Sequence, residues 1–191
     1  MLKANLLASL LILINACSYG FTSLKNPWEK EGIKTVYVPM FQNKTIEGGA
    51  EVSFTNALRF YIESRSGKLK LVNSNGDAHI EGEVSTVTLT PAGIQFGTAA
   101  TEAAGGLANE RLLAVSYTIT VKVTLKMIRD RDGKVLWTNV FSQAKSMKSG
   151  SYTDDRSSSD VFIKEAEKRQ AIKDLADTMM IFAVDSLLEE F

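Results

Sequence analysis

The chain holds one cysteine, Cys17, and one histidine, His79. A single thiol excludes a disulfide framework and any zinc site built on cysteines. With one histidine, a Ser-His-Asp relay would have to draw on His79, and no Gly-x-Ser-x-Gly elbow is present to display its serine. His79 stands between Ala78 and Ile80 in a strand-like run, where its role is structural. The pair Gly105-Gly106 fits neither a Gly-x-Gly-x-x-Gly fingerprint nor a P-loop. Asp130, Asp132, Asp154 and Asp155 fall in turn-like stretches, where aspartate is favoured for its bonds to nearby backbone. These absences point to no enzyme, no metal and no cofactor. Net charge is missing too: 22 Lys and Arg balance 22 Asp and Glu, so nothing argues for a nucleic-acid partner.

What is present begins at the first residue. Lys3 precedes an apolar run from Leu6 to Ile14, and small Ala16 precedes Cys17. A positive start, a short apolar stretch and a small residue make a secretory signal. The run is under half of the roughly 20 residues that cross a bilayer as a helix. Ile14-Asn15-Ala16-Cys17 resembles the box at which a bacterial lipoprotein signal is cut before its cysteine, although Asn15 departs from the usual small residue. The expected boundaries are a signal peptide at 1–16, a lipidated Cys17 with a tether at 17–32, and one domain at 33–191. Cleavage would leave 191 − 16 = 175 residues, with a charge of 21 − 22, or about −1. The only non-protein group expected is the covalent lipid on Cys17.

The tether, pinned in places by Phe21 or Trp28, leads into Ile33–Pro39, a β-branched run that predicts a strand. A loop over Met40–Gly49 follows. Phe54, Ala57, Leu58, Tyr61 and Ile62 then share one face of a helix over Ala50–Ser66, with Gly67 as its stop. Lys68–Val72 predicts a short strand and Asn73–Gly76 a turn. Asp77–Thr90 alternates, but its phase slips, which places a bulge near Ser85–Thr86 and an end at Pro91. Pro91–Glu110 reads as a long loop. Val115 to Met127 alternates strictly, with Lys122 and Lys126 on its polar side, and predicts an antiparallel sheet covered on one face.

Two hairpin registers compete. A two-residue Asp132-Gly133 loop would set Leu125 opposite Val140. A three-residue loop, Arg131–Gly133, sets Met127 opposite Trp137, Val123 opposite Phe141 and Asp130 against Lys134. The second gathers large apolar groups on one face and pairs opposite charges, so it is the expected one. Lys145–Asp160 reads as a second polar loop, and Val161–Leu188 as a helix whose apolar spacing is interrupted by Arg169. The order β-α-β-β-β-β-α predicts an α+β two-layer sandwich, a mainly antiparallel sheet with two helices on one face.

Six cations border the loops or the polar strand face: Arg111, Lys122, Lys126, Lys145, Lys148 and Arg156. Solvated charge is their plain reading. The sharper one is that they meet the phosphates of an anionic glycolipid through charge-assisted hydrogen bonds.

Several segments, in order, resemble one family. Cys17-Ser-Tyr-Gly-Phe21 is similar to the Cys-Gly-Tyr-His-Leu start of the LptE-like lipopolysaccharide-assembly lipoproteins, departing from it at Gly20 and Phe21. Ile33-Lys-Thr-Val-Tyr-Val-Pro-Met-Phe-Gln-Asn-Lys-Thr45 resembles that family's strand and loop, and Glu51–Leu58 its helix. Lys70–Val72, Asp77–Gly82 and the hairpin through Gly133-Lys-Val-Leu-Trp137 resemble its later strands. The Gly/Ala-rich stretch 91–110 departs from the pattern. The resemblance implies an outer-membrane lipoprotein facing the periplasm, held to the membrane by its lipid. Its expected partners are a large LptD-like β-barrel, which it would plug, and lipopolysaccharide, which it would help to insert and would bind. The strand "VYVPMFQNKT" also resembles exported lipoproteins of the curli-secretion and penicillin-binding-protein-activator types. Those tend to alternate strands with helices, whereas this chain runs three strands in succession after its first helix.

Overall fold

The computed structural model describes residues 26–65, 69–97, 111–148 and 159–189. Cys17, Phe21, Gly67, Lys68, Arg156 and most of the two long loops lie outside them. The elements are β1 (Thr35–Tyr37), β2 (Gln42–Asn43), α1 (Ala50–Ser64), β3 (Lys70–Val72), β4 (Ala78–Gly97), β5 (Arg111–Arg129), β6 (Val135–Lys148) and α2 (Ser159–Leu188). The fold is the expected α+β arrangement, with β2 as an added short strand.

The sheet runs β3-β1-β4-β5-β6, with β2 also paired to β4. It is mixed rather than mainly antiparallel. β4, β5 and β6 form an antiparallel meander, while β1 runs parallel to β3 and β4, and β2 parallel to β4. The cause is α1. A helix between β1 and β3 returns the chain to the end where it began, so the two strands align in parallel. The alternation of Val115–Met127 reports one covered face, which a mixed sheet supplies equally well.

The meander follows the expected register. Met127 faces Trp137 and Val123 faces Phe141, and β4 slips its pairing between Val84 and Thr86. Two details differ. β4 continues through Pro91 to Gly97, with shifts at Pro91/Gly93 and Gly93/Ile94. β1 and β2 reach only to Val84, so β4 is an edge strand at Pro91, where a missing N–H costs no ladder bond. Asp130 does not meet Lys134 either. Its carboxylate lies 2.5 Å from His79 Nδ1, and Asp132 takes the turn's inward role through Arg129.

Both helices cover one face. Phe54, Ala57, Leu58 and Ile62 of α1 are buried with Val36, Ile80 and Val84 of the sheet. α2 adds Leu175, Met179, Met180, Val184 and Leu187 over Ile119, Val121, Val123, Leu125 and Met127. Each fully buried aliphatic side chain contributes roughly 1.5–3 kcal/mol relative to exposure. α2 runs unbroken through Arg169, where residues 165–170 are mostly exposed, and Ala171 and Ile172 are buried. At its apolar end Met179, Met180, Ala183 and Val184 are buried, while Phe182 stays half-exposed.

Trp28 pins the segment before β1. Its ring packs on the core and its Nε1–H donates to the Leu187 carbonyl at 2.9 Å. The start of β1 is locked by Asp77, whose Oδ2 accepts the backbone N–H of Lys34 at 2.9 Å and of Thr35 at 2.8 Å, and the Thr35 hydroxyl at 2.8 Å. Those bonds, the Lys34 N–H first, hold the Asp77 carboxyl below its ordinary value.

Candidate functional site

The helix layer leaves the opposite sheet face open. Along β4 this face carries Glu81, Glu83, Thr86 and Thr88; along β5 Thr118, Thr120, Lys122, Thr124 and Lys126; along β6 Thr138, Ser142 and Ser146. The period-2 pleat of the meander produces it, since every second residue of β5 from Ile119 to Met127 is core. Two of the six candidate cations lie here. Lys122 pairs with Thr86 and Ser142, and Lys126 with Glu81 and Thr138, all across the ladder.

Lys126 also lines a cleft of about 430 Å³ with Pro39, Gln42, Glu81, Glu83 and Thr124. The cleft exists because the chain arches away from β4 between β1 and β2. Val36–Tyr37 pair with Ala78–His79 and Gln42–Asn43 with Glu83–Val84, leaving Ile80–Gly82 without a partner on that side. Two carboxylates and one ammonium give this cleft a mixed charge.

The other candidates are placed elsewhere. Lys145 lies in β6, opposite buried Ile119, and so on the helix-covered face. There its Nζ is ion-paired with Asp174 of α2, whose other oxygen accepts Gln170 at 2.7 Å. Lys145 first, then Gln170, hold the Asp174 carboxyl below its ordinary value. Lys148 is the last residue of β6, opposite Ser116, and Arg111 the first of β5, opposite Gly97. β6 therefore carries both lysines that the sequence places in a loop. Lys122 and Lys126 share the open face, Lys145 is on the reverse, and Arg111 and Lys148 mark the far end of the meander. These five do not form one cluster, and Arg156 lies outside the described residues.

Two polar hubs escape the sequence reading. Asn43 organises the loop before α1: its Nδ2 donates to Glu47 O at 2.8 Å and to Glu51 Oε2 at 2.7 Å, while its Oδ1 accepts the N–H and hydroxyl of Thr45. Arg129 is the buried ion, with its side chain 8% exposed. It binds Asp132 through Nε and Nη2 at 2.9 and 2.6 Å and Glu31 through Nη1 at 2.5 Å. The Arg129 bonds take the Asp132 carboxyl down to about 2. Among the described residues, no group of three His, Cys, Asp or Glu is placed to hold a metal.

With this geometry in hand, the lipopolysaccharide-assembly LptE family model matches residues 33–181. The chain belongs to the LptE family. That makes it one of a non-enzymatic group of outer-membrane lipoproteins concerned with lipopolysaccharide assembly, and such lipoproteins require no cofactor. No helix among the described residues is long and apolar enough to cross a membrane.

Similar solved structures include a minor lipoprotein from Acinetobacter baumannii, at 16% identity and TM-score 0.44, covering 83% of this chain and 96% of that one. The PelC dodecamer from Paraburkholderia phytofirmans gives 12% identity and TM-score 0.44, covering 83% of this chain and 89% of that one. Lipoprotein GNA1162 from Neisseria meningitidis gives 11% identity and TM-score 0.40, covering 72% and 96%. None of these likenesses carries an argument about function. Among curated protein sequences there is no match.

Proposed function

We propose that this LptE-family chain plugs a large outer-membrane β-barrel and assists the insertion of lipopolysaccharide, whose phosphates it binds. The observation that carries the reading is the family match across 33–181. The shape is in keeping with it: a compact helix-covered base continues into a three-stranded blade with a hydroxyl-rich face, compatible with a hydrated barrel interior. Cys17 would be lipidated after removal of residues 1–16, holding the domain at the periplasmic face of the outer membrane. More than one acyl chain is needed for stable anchoring, at about 0.8 kcal/mol per buried CH₂.

Lipopolysaccharide phosphates would be met by Arg111 and Lys148 at the blade's far end and by Arg156, with Lys145, Lys122 and Lys126 contributing from the two faces. Arginine can hold a phosphate through two parallel bonds, and lysine does so as a point charge. Co-purification of a tagged chain from detergent-solubilised outer membrane tests the partner: a large barrel protein is expected, and its absence removes the plug reading. Lipopolysaccharide binding by Arg111→Ala, Lys145→Ala and Lys148→Ala tests the ligand. Wild-type affinity in all three would discard the phosphate contacts.

A further inference from the structure

The described sheet has three edges at which another strand could add, and two of them are guarded. β3 is an edge of three residues that opens on Lys70. β4 becomes an edge beyond Val84, where β1 and β2 have ended, and there it carries Pro91 and register shifts at Val84/Thr86, Pro91/Gly93 and Gly93/Ile94. Short length, charge, bulges and proline are the devices that keep an edge from pairing. β6 lacks them. Its outer side pairs with no strand among the described residues, and its register shift lies beside the turn, at Met127/Ile128. From Val135 to Ala144 it holds no proline, no glycine and no charge.

The phase of the β6 backbone is fixed by two bonds. Ser85 Oγ of β4 donates to the Lys122 carbonyl at 3.1 Å, so Lys122 turns its backbone to β4 and its partner Ser142 turns away from β5. Val140 N–H, two residues before, donates to Asn139 Oδ1 at 2.8 Å. Thr138, Val140, Ser142, Ala144 and Ser146 therefore share the outward phase, and all five are exposed. The Asn139 oxygen stands where the carbonyl of a neighbouring strand would accept.

Beneath this edge runs an apolar strip. Asp174, Thr178, Phe182 and Ser186 form one row of α2, each four residues from the next. Both ends of the row meet β6: Asp174 is ion-paired with Lys145, and Ser186 Oγ accepts Asn139 Nδ2 at 3.2 Å. Phe182 comes level with Phe141, after roughly 12 Å of helix against roughly 13 Å of strand. Phe182 is half-exposed, while Trp137 and Phe141 on the helix-covered face of β6 are partly buried, their ring centroids 6.3 Å apart. A strand laid along β6 would set every second side chain on this side and cover Phe182.

We infer that β6 is a strand-addition site: an extended segment of another protein pairs its backbone with Thr138–Ser146 and lays an apolar residue at every second position towards Phe182 and Phe141. Main-chain bonds supply the affinity of such pairing and the alternate side chains its specificity. Val135–Lys148 holds two cations and no carboxylate, so the segment that fits best carries an acidic residue near Lys145 and Lys148. A second copy of the chain would bring only the same two cations. A closed barrel has no free edge to give, so the segment lies outside any barrel's own strands. Strand addition at β6 neither needs nor excludes a barrel around the domain.

The test uses the chain from residue 17 onward with Cys17→Ser, and as probe the capped peptide Glu-Val-Thr-Val-Thr-Val-Thr-Val-Glu. A second probe is the same peptide with its backbone nitrogens methylated, which keeps the side chains and removes the donors. Amide hydrogen exchange is followed by NMR. The first peptide is expected to slow exchange at Thr138, Ser142, Ala144 and Ser146 and to leave the inward amides of Phe141 and Gln143 as they were. Ser142→Pro removes an outward N–H and no bond to β5, so the fold is kept. It is expected to bind the peptide at least about tenfold more weakly, as the unchanged chain should bind the methylated one, because main-chain bonds carry the affinity. Equal slowing of inward and outward amides, no slowing in β6, or equal binding of the methylated peptide overturns strand addition. Self-association that protects the outward amides without peptide makes a second copy the occupant and overturns the proposal as well. Should Ser142→Pro fold poorly, the methylated peptide decides alone, since it leaves the chain unchanged.

Discussion

The ring of Phe41 occupies the space that a side chain at Gly82 would need: a Cβ there would lie 2.5 Å from three of the ring's carbons. This contact sets the arch between β1 and β2. Phe41 turns in to the core, 3% exposed, while its neighbours Met40 and Gln42 turn out to the cleft.

Gly82→Ala should therefore cost about 1–3 kcal/mol, the usual range for overpacking a well-filled core. Phe41→Leu gives the new methyl room, so the double variant should lose less than the sum of the two single changes, with a coupling of about 0.5–3 kcal/mol. Denaturant unfolding of the four proteins measures this. Strict additivity would mean that the two residues do not compete for the same space.

The acid response follows from Asp77 and Asp132. Both have folded pKa values below the unfolded 3.8, and Asp132 falls to about 2. A carboxylate with a lowered folded pKa contributes stability that is fully present above its unfolded value and lost as pH falls through the folded one. The melting temperature should accordingly be flat near neutrality and fall between roughly pH 4 and pH 2. Asp132→Asn should start lower at neutral pH and lose less on acidification. Parallel melting curves for the two proteins across that window would contradict the assignment.

Legibility in the sequence tracked how local each cause was. The bulge beside Ser85 and the register of Met127 with Trp137 appear in the chain because a pleat imposes period two on every apolar residue, so a slip shows at once. The parallel pairing of β1 was hidden because it depends on where α1 sends the chain. Pro91 misled for a related reason: it stops a central strand, yet it sits on an edge where β1 and β2 have already ended. Asp130 was matched to Lys134 by proximity in the hairpin, whereas its partner His79 is 51 residues away. The separation of Lys122 and Lys126 from Lys145 on opposite faces was equally invisible, since Lys145 needed the bulge count and the sheet's cover to be assigned a side.

Arg129 and Arg131 are separated by one residue and should behave differently. Arg129 is buried and joins Glu31 to Asp132, fixing the segment before β1 to the hairpin. Arg131 is exposed. Arg129→Gln would remove the charge-assisted hydrogen bonds to Glu31 and Asp132 that join the two segments, each such bond being worth about 1.5–3 kcal/mol. Thermal melting should show a clear drop for Arg129→Gln and almost none for Arg131→Gln. Similar melting temperatures would show that the Arg129 network is not structural.

Lys145 can be tested for ligand binding through its partner. Asp174 holds the ammonium against α2, and both side chains are partly exposed. An exposed pair of this kind is worth about 0–1 kcal/mol, so any ligand that recruits Lys145 has that much to overcome. Asp174→Asn releases the cation and should tighten lipopolysaccharide binding by up to about fivefold, 1.4 kcal/mol being tenfold. Lys145→Ala should weaken binding, and Lys145→Ala/Asp174→Asn should match Lys145→Ala alone, because without the lysine the aspartate has nothing to withhold. Titration of purified lipopolysaccharide against the four proteins reads all three comparisons. If Asp174→Asn tightens binding equally with and without Lys145, the gain comes from removing a negative charge, and Lys145 drops out of the site.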